Sequence, residues 1–174
     1  WIHRNKGLYA SYMPDPYSEF GHDPHYMLAS PSNPDVLWQQ NHCGVFRSVD
    51  SGLQWDDISQ DKKIHFGFAL ALDASDDKTA WVVPAHSDEK RIPIERALFV
   101  ARTEDGGASW TELRDGLPQA NAYDITFRHA LHNDGDQLAF GTTAGNLYLS
   151  DDRGDHWRCL AENLAVVYSV KFFD

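Results

Sequence analysis

Three copies of one frame, Ser/Thr-x-Asp-x-Gly-x-x-Trp, constrain this chain more than any other feature of its sequence. They run from Ser48 to Trp55, from Thr103 to Trp110 and from Ser150 to Trp157, and repeats of this kind decide a fold before composition does. The Trp-to-Trp spacings are 55 and 47 residues, and Trp1 stands 54 residues before Trp55, where a fourth copy would end. Within each copy, an Asp at a turn can accept backbone N–H bonds two residues on, and Gly supplies a positive φ without steric cost. Ser or Thr then ends one strand, and Trp starts the next with a large packing surface. Each copy is therefore expected to be a hairpin tip. The flanks agree: the apolar runs Gly44-Val45-Phe46-Arg47, 97–102 and Asn146-Leu147-Tyr148-Leu149 precede the copies, and the polar strand starts 54–58 and 109–113 follow two of them.

A second set of strands lies upstream of the hairpins. Residues 36–40, 79–83 and 137–141 align, with Trp38, Trp81 and Phe140 as their aromatics. Before them come 26–30, 68–73 and 123–131, which read as inner strands. Four short strands in about 50 residues is the size of a propeller blade. No segment holds a helical period without Gly or Pro interrupting it. The expected fold class is thus all-β, a β-propeller segment of four-stranded antiparallel blades. Its expected divisions are 1–21 (outer strand and link from a preceding blade), 22–60, 61–115 and 116–160 (three blades) and 161–174 (an inner closing strand, apolar at 166–173).

The frame resembles the BNR or Asp-box motif of the sialidase-like superfamily, whose relatives include sortilin-type and xyloglucanase-type propellers. The resemblance covers the three copies and the stub at Trp1, nearly the whole chain. Leu37-Trp38-Gln39-Gln40-Asn41-His42-Cys43-Gly44 and Gly116-Leu117-Pro118-Gln119 resemble bacterial BNR-repeat or glycosyl-hydrolase-like propellers. The resemblance implies that the boxes are structural: Ser48, Asp50, Gly52 and Trp55; Thr103, Asp105, Gly107 and Trp110; Ser150, Asp152, Gly154 and Trp157. It also implies that ligands bind on the opposite face. Closed propellers use about 4–8 blades, so the expected first partners are missing blades of a longer chain. Apolar blade faces and strand edges left open would make these 174 residues self-associate. Sedimentation at several concentrations checks this, a concentration-dependent mass being expected.

Charge narrows the partners. A net charge of −11 disfavours nucleic acid and anionic membrane surfaces, which need clustered Lys and Arg. No apolar run reaches the roughly 18 residues of a spanning helix. The two cysteines, Cys43 and Cys159, show no metal-type or disulfide-framework spacing, which points to a reducing, cytoplasmic setting.

Candidate binding residues follow from the loops opposite the boxes. Those loops are 41–43, the long 84–96 and 143–145, with the links 22–25, 62–67 and 119–123. The loop 84–96 is about ten residues longer than its counterparts, and insertions on a rigid scaffold concentrate function. A glycan, peptide or small-molecule ligand would meet Gln40, Asn41, His42, His86, Arg91, Tyr123 and Arg128. Asp124, Thr126 and Arg128 form a polar stripe on the expected inner strand 123–131. A glycosidase would need two carboxyls about 5–10 Å apart, for which Asp88, Glu89, Glu95 and Asp124 are candidates. A sialidase needs three converging Arg and a Tyr nucleophile; Arg91, Arg96, Arg128 and Tyr123 have no spacing that joins them. Adjacent His42 and Cys43 point to opposite faces of an extended chain and do not suit a nucleophile pair. His22, Asp23 and His25 could reach a metal with His42, but no second ligand set accompanies them. The sequence expectation is therefore no metal and no cofactor, and recognition first, the alternative being a glycoside hydrolase or exo-sialidase-like enzyme whose active site is shared with the missing blades.

Overall fold

A computed structural model describes residues 2–59 and 63–173. Trp1, Lys62 and the boundary residues Gln60, Asp61 and Asp174 lie outside the described residues. The described chain is all-β apart from a single 3-10 turn at Ile94–Arg96. Three antiparallel sheets of four strands each follow chain order. The first holds β1 (Pro24–Ala29), β2 (Leu37–Asn41), β3 (Gly44–Ser48) and β4 (Asp56–Asp57). The second holds β5 (Gly67–Leu72), β6 (Ala80–Pro84), β7 (Val100–Thr103) and β8 (Thr111–Leu113). The third holds β9 (Leu131–Asp134), β10 (Gln137–Gly141), β11 (Leu147–Ser150) and β12 (Arg158–Ala161).

The sheets stack face to face as propeller blades. The middle sheet has neighbours on both faces, so β6 is buried at every residue and β5 at all but Leu72. Strands buried on both faces read as continuous apolar runs rather than alternations, and Phe68-Ala69-Leu70-Ala71-Leu72 is such a run. One core joins the first two sheets through Trp38, Leu70, Val82 and Phe99. Another joins the second and third through Trp81, Leu98, Leu138, Phe140 and Trp157.

Each Asp box is organised by a buried hydroxyl. Ser48 Oγ donates to Asp50 Oδ1 at 2.8 Å and accepts from the Gly52 N–H at 2.9 Å. Thr103 Oγ1 repeats this with Asp105 and Gly107 at 2.9 Å each, and Ser150 Oγ with Asp152 at 2.8 Å and Gly154 at 2.9 Å. The carboxylate reaches four residues on, not two: Asp50, Asp105 and Asp152 accept from the N–H groups of Gln54, Ser109 and His156 at 2.8–2.9 Å. The Ser109 hydroxyl and N–H hold the Asp105 carboxyl down to about 2, the His156 N–H and ring hold that of Asp152 down to about 2, and the Gln54 N–H holds that of Asp50 below its usual value. The frame also hides a second left-handed position. Ser51, Gly106 and Arg153 have φ of 59°, 74° and 61°, just before the box glycines at 81°, 94° and 98°. The N–H of that residue bonds to the turn between the first two strands of its own sheet, at Asp35, Lys78 and Asp136.

The boxes also tie neighbouring sheets together. Arg47, just before the first box, lies over Trp38 at 5.2 Å and donates to the Asp77 carbonyl at 3.3 Å. Arg102, its counterpart, donates to the Arg153 carbonyl at 3.1 Å and to Asp155 at 3.0 Å. Arg153 returns to Asp73 at 2.8 Å, and its carbonyl accepts from Trp81 Nε1 at 3.0 Å. Trp157 packs on Gly116, where a Cβ would lie 1.9 Å from the Trp157 carbonyl oxygen, so no larger residue fits.

Three sequence expectations are corrected. Residues 123–130 form no strand, and the first strand of the third sheet starts at Leu131, because Phe140 pairs with Leu131 and no residue before it. Register opposite the boxes places Ala139, not Phe140, at the position of Trp38 and Trp81. Phe140 turns to the other face, 4.9 Å from the Trp157 ring. Neither end is a strand: the described part of 1–21 packs irregularly, with Leu8 against Trp55, and 166–173 makes one parallel bridge from Ser169 to His129.

Replacing Ser150 with Ala strips the buried Gly154 N–H of its acceptor, an expected loss of about 1–3 kcal/mol. Denaturant melts of the variant against the parent chain check it.

Candidate functional site

Register sorts the two rims of the stack. Pro24 pairs with Asn41 and Gly67 with Pro84, so the starts of β1 and β5 share a rim with the β2–β3 turn and the 84–96 loop. The boxes lie on the other rim, where Ser51 bonds to the β1–β2 turn at Asp35. The opposite-rim placement of the 84–96 loop follows the strand assignment. A cleft of about 440 Å³ separates that loop from the β2–β3 turn, with His42, Phe66, Asp88 and Glu89 on its walls. A larger hollow of about 750 Å³ runs along the flank beside Trp55, Asp56 and Asp57, at the outer edge of the first sheet.

Beside the cleft, two equivalent positions meet. Between Pro24 and Tyr26 the register of β1 shifts against β2, which makes His25 an extra residue; Phe68 is extra between Gly67 and Ala69 in the same way. Such bulges re-aim one side chain off the pleat. The two rings stack at 4.5 Å and 22°. Phe66 meets His25 edge-on at 5.5 Å, and His42 meets Phe66 at 5.6 Å. Arg91 and Arg128 both lie over Phe68, at 5.5 and 5.2 Å. Arg128 Nε also donates to the His25 carbonyl at 2.8 Å.

His25 is held in one tautomer. Its Nδ1 lies 2.6 Å from the Gly67 carbonyl, which can only accept, so Nδ1 carries the proton. Nε2 then presents a lone pair toward Asp23 Oδ2 at 3.6 Å, while His42 Nδ1 lies 3.5 Å from the same oxygen. The backbone holds this corner, because the His42 N–H donates to the Asp23 carbonyl at 3.0 Å. Tyr12 closes it from the N-terminal segment, edge-on to His42 at 5.3 Å with its hydroxyl on the Gly21 carbonyl. Burial pushes the Tyr12 phenol up and the His25 imidazole down, keeping His25 neutral.

The sequence candidates divide. His42, Asp88, Glu89, Arg91 and Arg128 gather at this corner. Gln40 and Asn41 do not face the cleft: both are 0% exposed, with Asn41 Nδ2 on Gln39 Oε1 at 2.7 Å and Gln40 Nε2 on the Gly44 carbonyl at 3.4 Å. His86 and Glu95 border a separate hollow, where Glu95 pairs with Lys63 at 3.1 Å. Tyr123 lies exposed under Arg96 at 5.8 Å, and Asp124 accepts from Asn146 at 3.4 Å. The four acidic candidates therefore do not converge on one pair. Phe66, Phe68 and Tyr12 were missed, and only the aromatic phase of the strand starts, slipped by one residue, could have marked the first two.

No protein-family model matches the chain, and no curated protein does. Solved structures do match. An ancestral GH74 enzyme aligns at TM-score 0.62 and 14% identity over 79% of this chain and 18% of its own. The GH74 xyloglucanase from Xanthomonas campestris aligns at 0.60 and 19% identity over 79% of this chain and 20% of its own. YCF48 from Cyanidioschyzon merolae aligns at 0.52 and 15% identity over 80% of this chain and 37% of its own. These are β-propeller proteins, and the fold of this chain is a partial propeller of the same kind. The chain spans about a fifth of the GH74 enzymes' length.

His25 sets a pH dependence. Its folded pKa lies below the ordinary value of 6.5, so the unfolded chain takes up its proton first and stability falls as pH drops below about 6.5. His25→Gln is expected to flatten that slope in thermal melts across pH 7 to 5.

Proposed function

We propose that this propeller segment is a non-catalytic recognition module that takes a carbohydrate chain in the cleft between the β2–β3 turn and the 84–96 loop. The observation that carries the reading is the make-up of the walls. Phe66 and His42 offer ring surface on one side, and Ser87, Asp88 and Glu89 offer hydroxyl and carboxylate oxygens on the other. Ring faces with hydroxyl acceptors suit a polyhydroxylated ligand. A cleft on the rim away from the turns, between loops on a rigid scaffold, is where such folds carry binding groups.

The state of Asp88 disfavours it as the acid of a glycosidase. Its hydrogen bonds from Arg91 hold its carboxyl below the usual range, so it stays ionised. A glycosidase acid needs its pKa raised. Two of the fold neighbours are GH74 enzymes, one of them a xyloglucanase, which makes β-glucan oligosaccharides the first ligands to test. A peptide or small polar ligand on the same rim is the second reading, supported by the exposed charges of Asp88, Glu89 and Arg91.

Calorimetry against xyloglucan and glucan oligosaccharides tests this, beside a peptide library. Saturable binding without product release is expected, and Glu89→Gln is expected to weaken it about 10- to 100-fold through a lost charged hydrogen bond. Glycan turnover abolished by Asp88→Asn or Glu89→Gln would favour an enzyme; peptide binding alone would favour the second reading.

A further inference from the structure

We propose that Asp23, His25 and His42 form a binding site for a single divalent first-row metal ion of the zinc class, with an open coordination position toward solvent. The inference is independent of what the cleft binds. It departs from the sequence expectation of no metal, which saw no second ligand set for the His22–His25 region.

The spacing of the donor atoms points to it. Asp23 Oδ2 lies 3.6 Å from His25 Nε2 and 3.5 Å from His42 Nδ1. Both separations are beyond a good N–H···O hydrogen bond. They fit the edge of a tetrahedron, about 3.3–3.4 Å for ligands bound at 2.0–2.1 Å. The three donor atoms lie within 4.8 Å of one another, so the remaining His–His edge needs one ring to close inward. His42 can supply that movement, being on a turn with its side chain 25% exposed.

His25 is prepared for the role independently of that spacing. Its side chain is 3% exposed, yet Nε2 makes no hydrogen bond among the described residues. The Gly67 carbonyl fixes Nδ1 as the protonated nitrogen and leaves the Nε2 lone pair for a ligand. A metal-bound His is typically held this way, through its other ring nitrogen. The β1 bulge supplies the aim, and the ring is clamped between Phe68 and Phe66. Two imidazoles and one carboxylate are a borderline donor set that suits zinc, and three protein ligands leave the position that catalytic-type sites keep open. Asp23, 58% exposed at its side chain, faces the solvent side. Two other charges bear on the corner. Asp88 favours a cation, and Arg128, bonded to the His25 carbonyl, opposes one.

The test uses the whole chain and the metal alone. The chelator-stripped protein is titrated with Co²⁺ and then Zn²⁺, followed by visible absorption and competition. The expected result is one equivalent of Co²⁺ with the intense visible bands of tetrahedral coordination, displaced by Zn²⁺. Asp23→Asn changes an exposed residue and should fold; His42→Gln is the second variant. Each is expected to lose more than the roughly 10–100-fold in affinity that removing a partner behind a ligand costs. Circular dichroism confirms the fold of each. No binding overturns the proposal, and so does binding that survives both variants. The weak absorption of octahedral cobalt overturns the assigned geometry.

Discussion

One buried hydroxyl in each turn carries the architecture. Ser48, Thr103 and Ser150 each donate to an aspartate and accept from a glycine N–H, so a single oxygen closes the turn from both sides. Without that closure the aspartate has no fixed place from which to reach the N–H four residues on, and the outer strand has no fixed start. The box tryptophan is positioned by that start and packs back on what precedes it: Trp55 on Leu8, Trp110 on Ile58 and Trp157 in the core shared with the second sheet. The arginines before the first two boxes add lateral ties, Arg47 to the β5–β6 turn at Asp77 and Arg102 to the third box at Arg153 and Asp155. A local hydrogen-bond pattern is thus converted into long-range stacking. This explains why so few strand residues, only two in β4, suffice to finish a blade.

This logic also explains what could be read in advance. The boxes encode local hydrogen bonds at fixed offsets, so the hairpin tips and the antiparallel order of β2, β3 and β4 were legible. The third blade's inner strand was not. Residues 123–131 alternate like a strand, but their backbone groups are committed elsewhere: Thr143 N–H bonds to the Ile125 carbonyl, Ile125 N–H to Thr143 Oγ1 and Ala130 N–H to the Phe127 carbonyl. Alternation reports side-chain facing and is silent about where the N–H groups go. The turn Asp134-Gly135-Asp136 sets the true register, pairing Gln137 with Asp134.

The candidate site was legible in part, for related reasons. His42, Arg91 and Asp88 could be placed on one rim because loops between known strands have a known side. Gln40 and Asn41 were misassigned because polar residues near a short turn look solvated, whereas here Gln40 Nε2 donates to the Asn41 and Gly44 carbonyls and Asn41 Nδ2 to Gln39 Oε1 in the interior. His25 and Phe68 were hidden by the bulges. An extra residue in a strand leaves no mark on composition and shifts the phase of everything before it.

Those bulges have an implication for how freely the corner can change. The scaffold accommodates an inserted residue at the same point of two adjacent blades, with imidazole in one and phenyl in the other. The strands beyond it pair as they would otherwise, so the inserted position is separable from the sheet that holds it. Such a position is a socket: its occupant can be exchanged for new chemistry while the ladder beneath keeps its register. Stacking brings one blade's socket against the next blade's, so a repeat of this design presents its interchangeable groups in pairs.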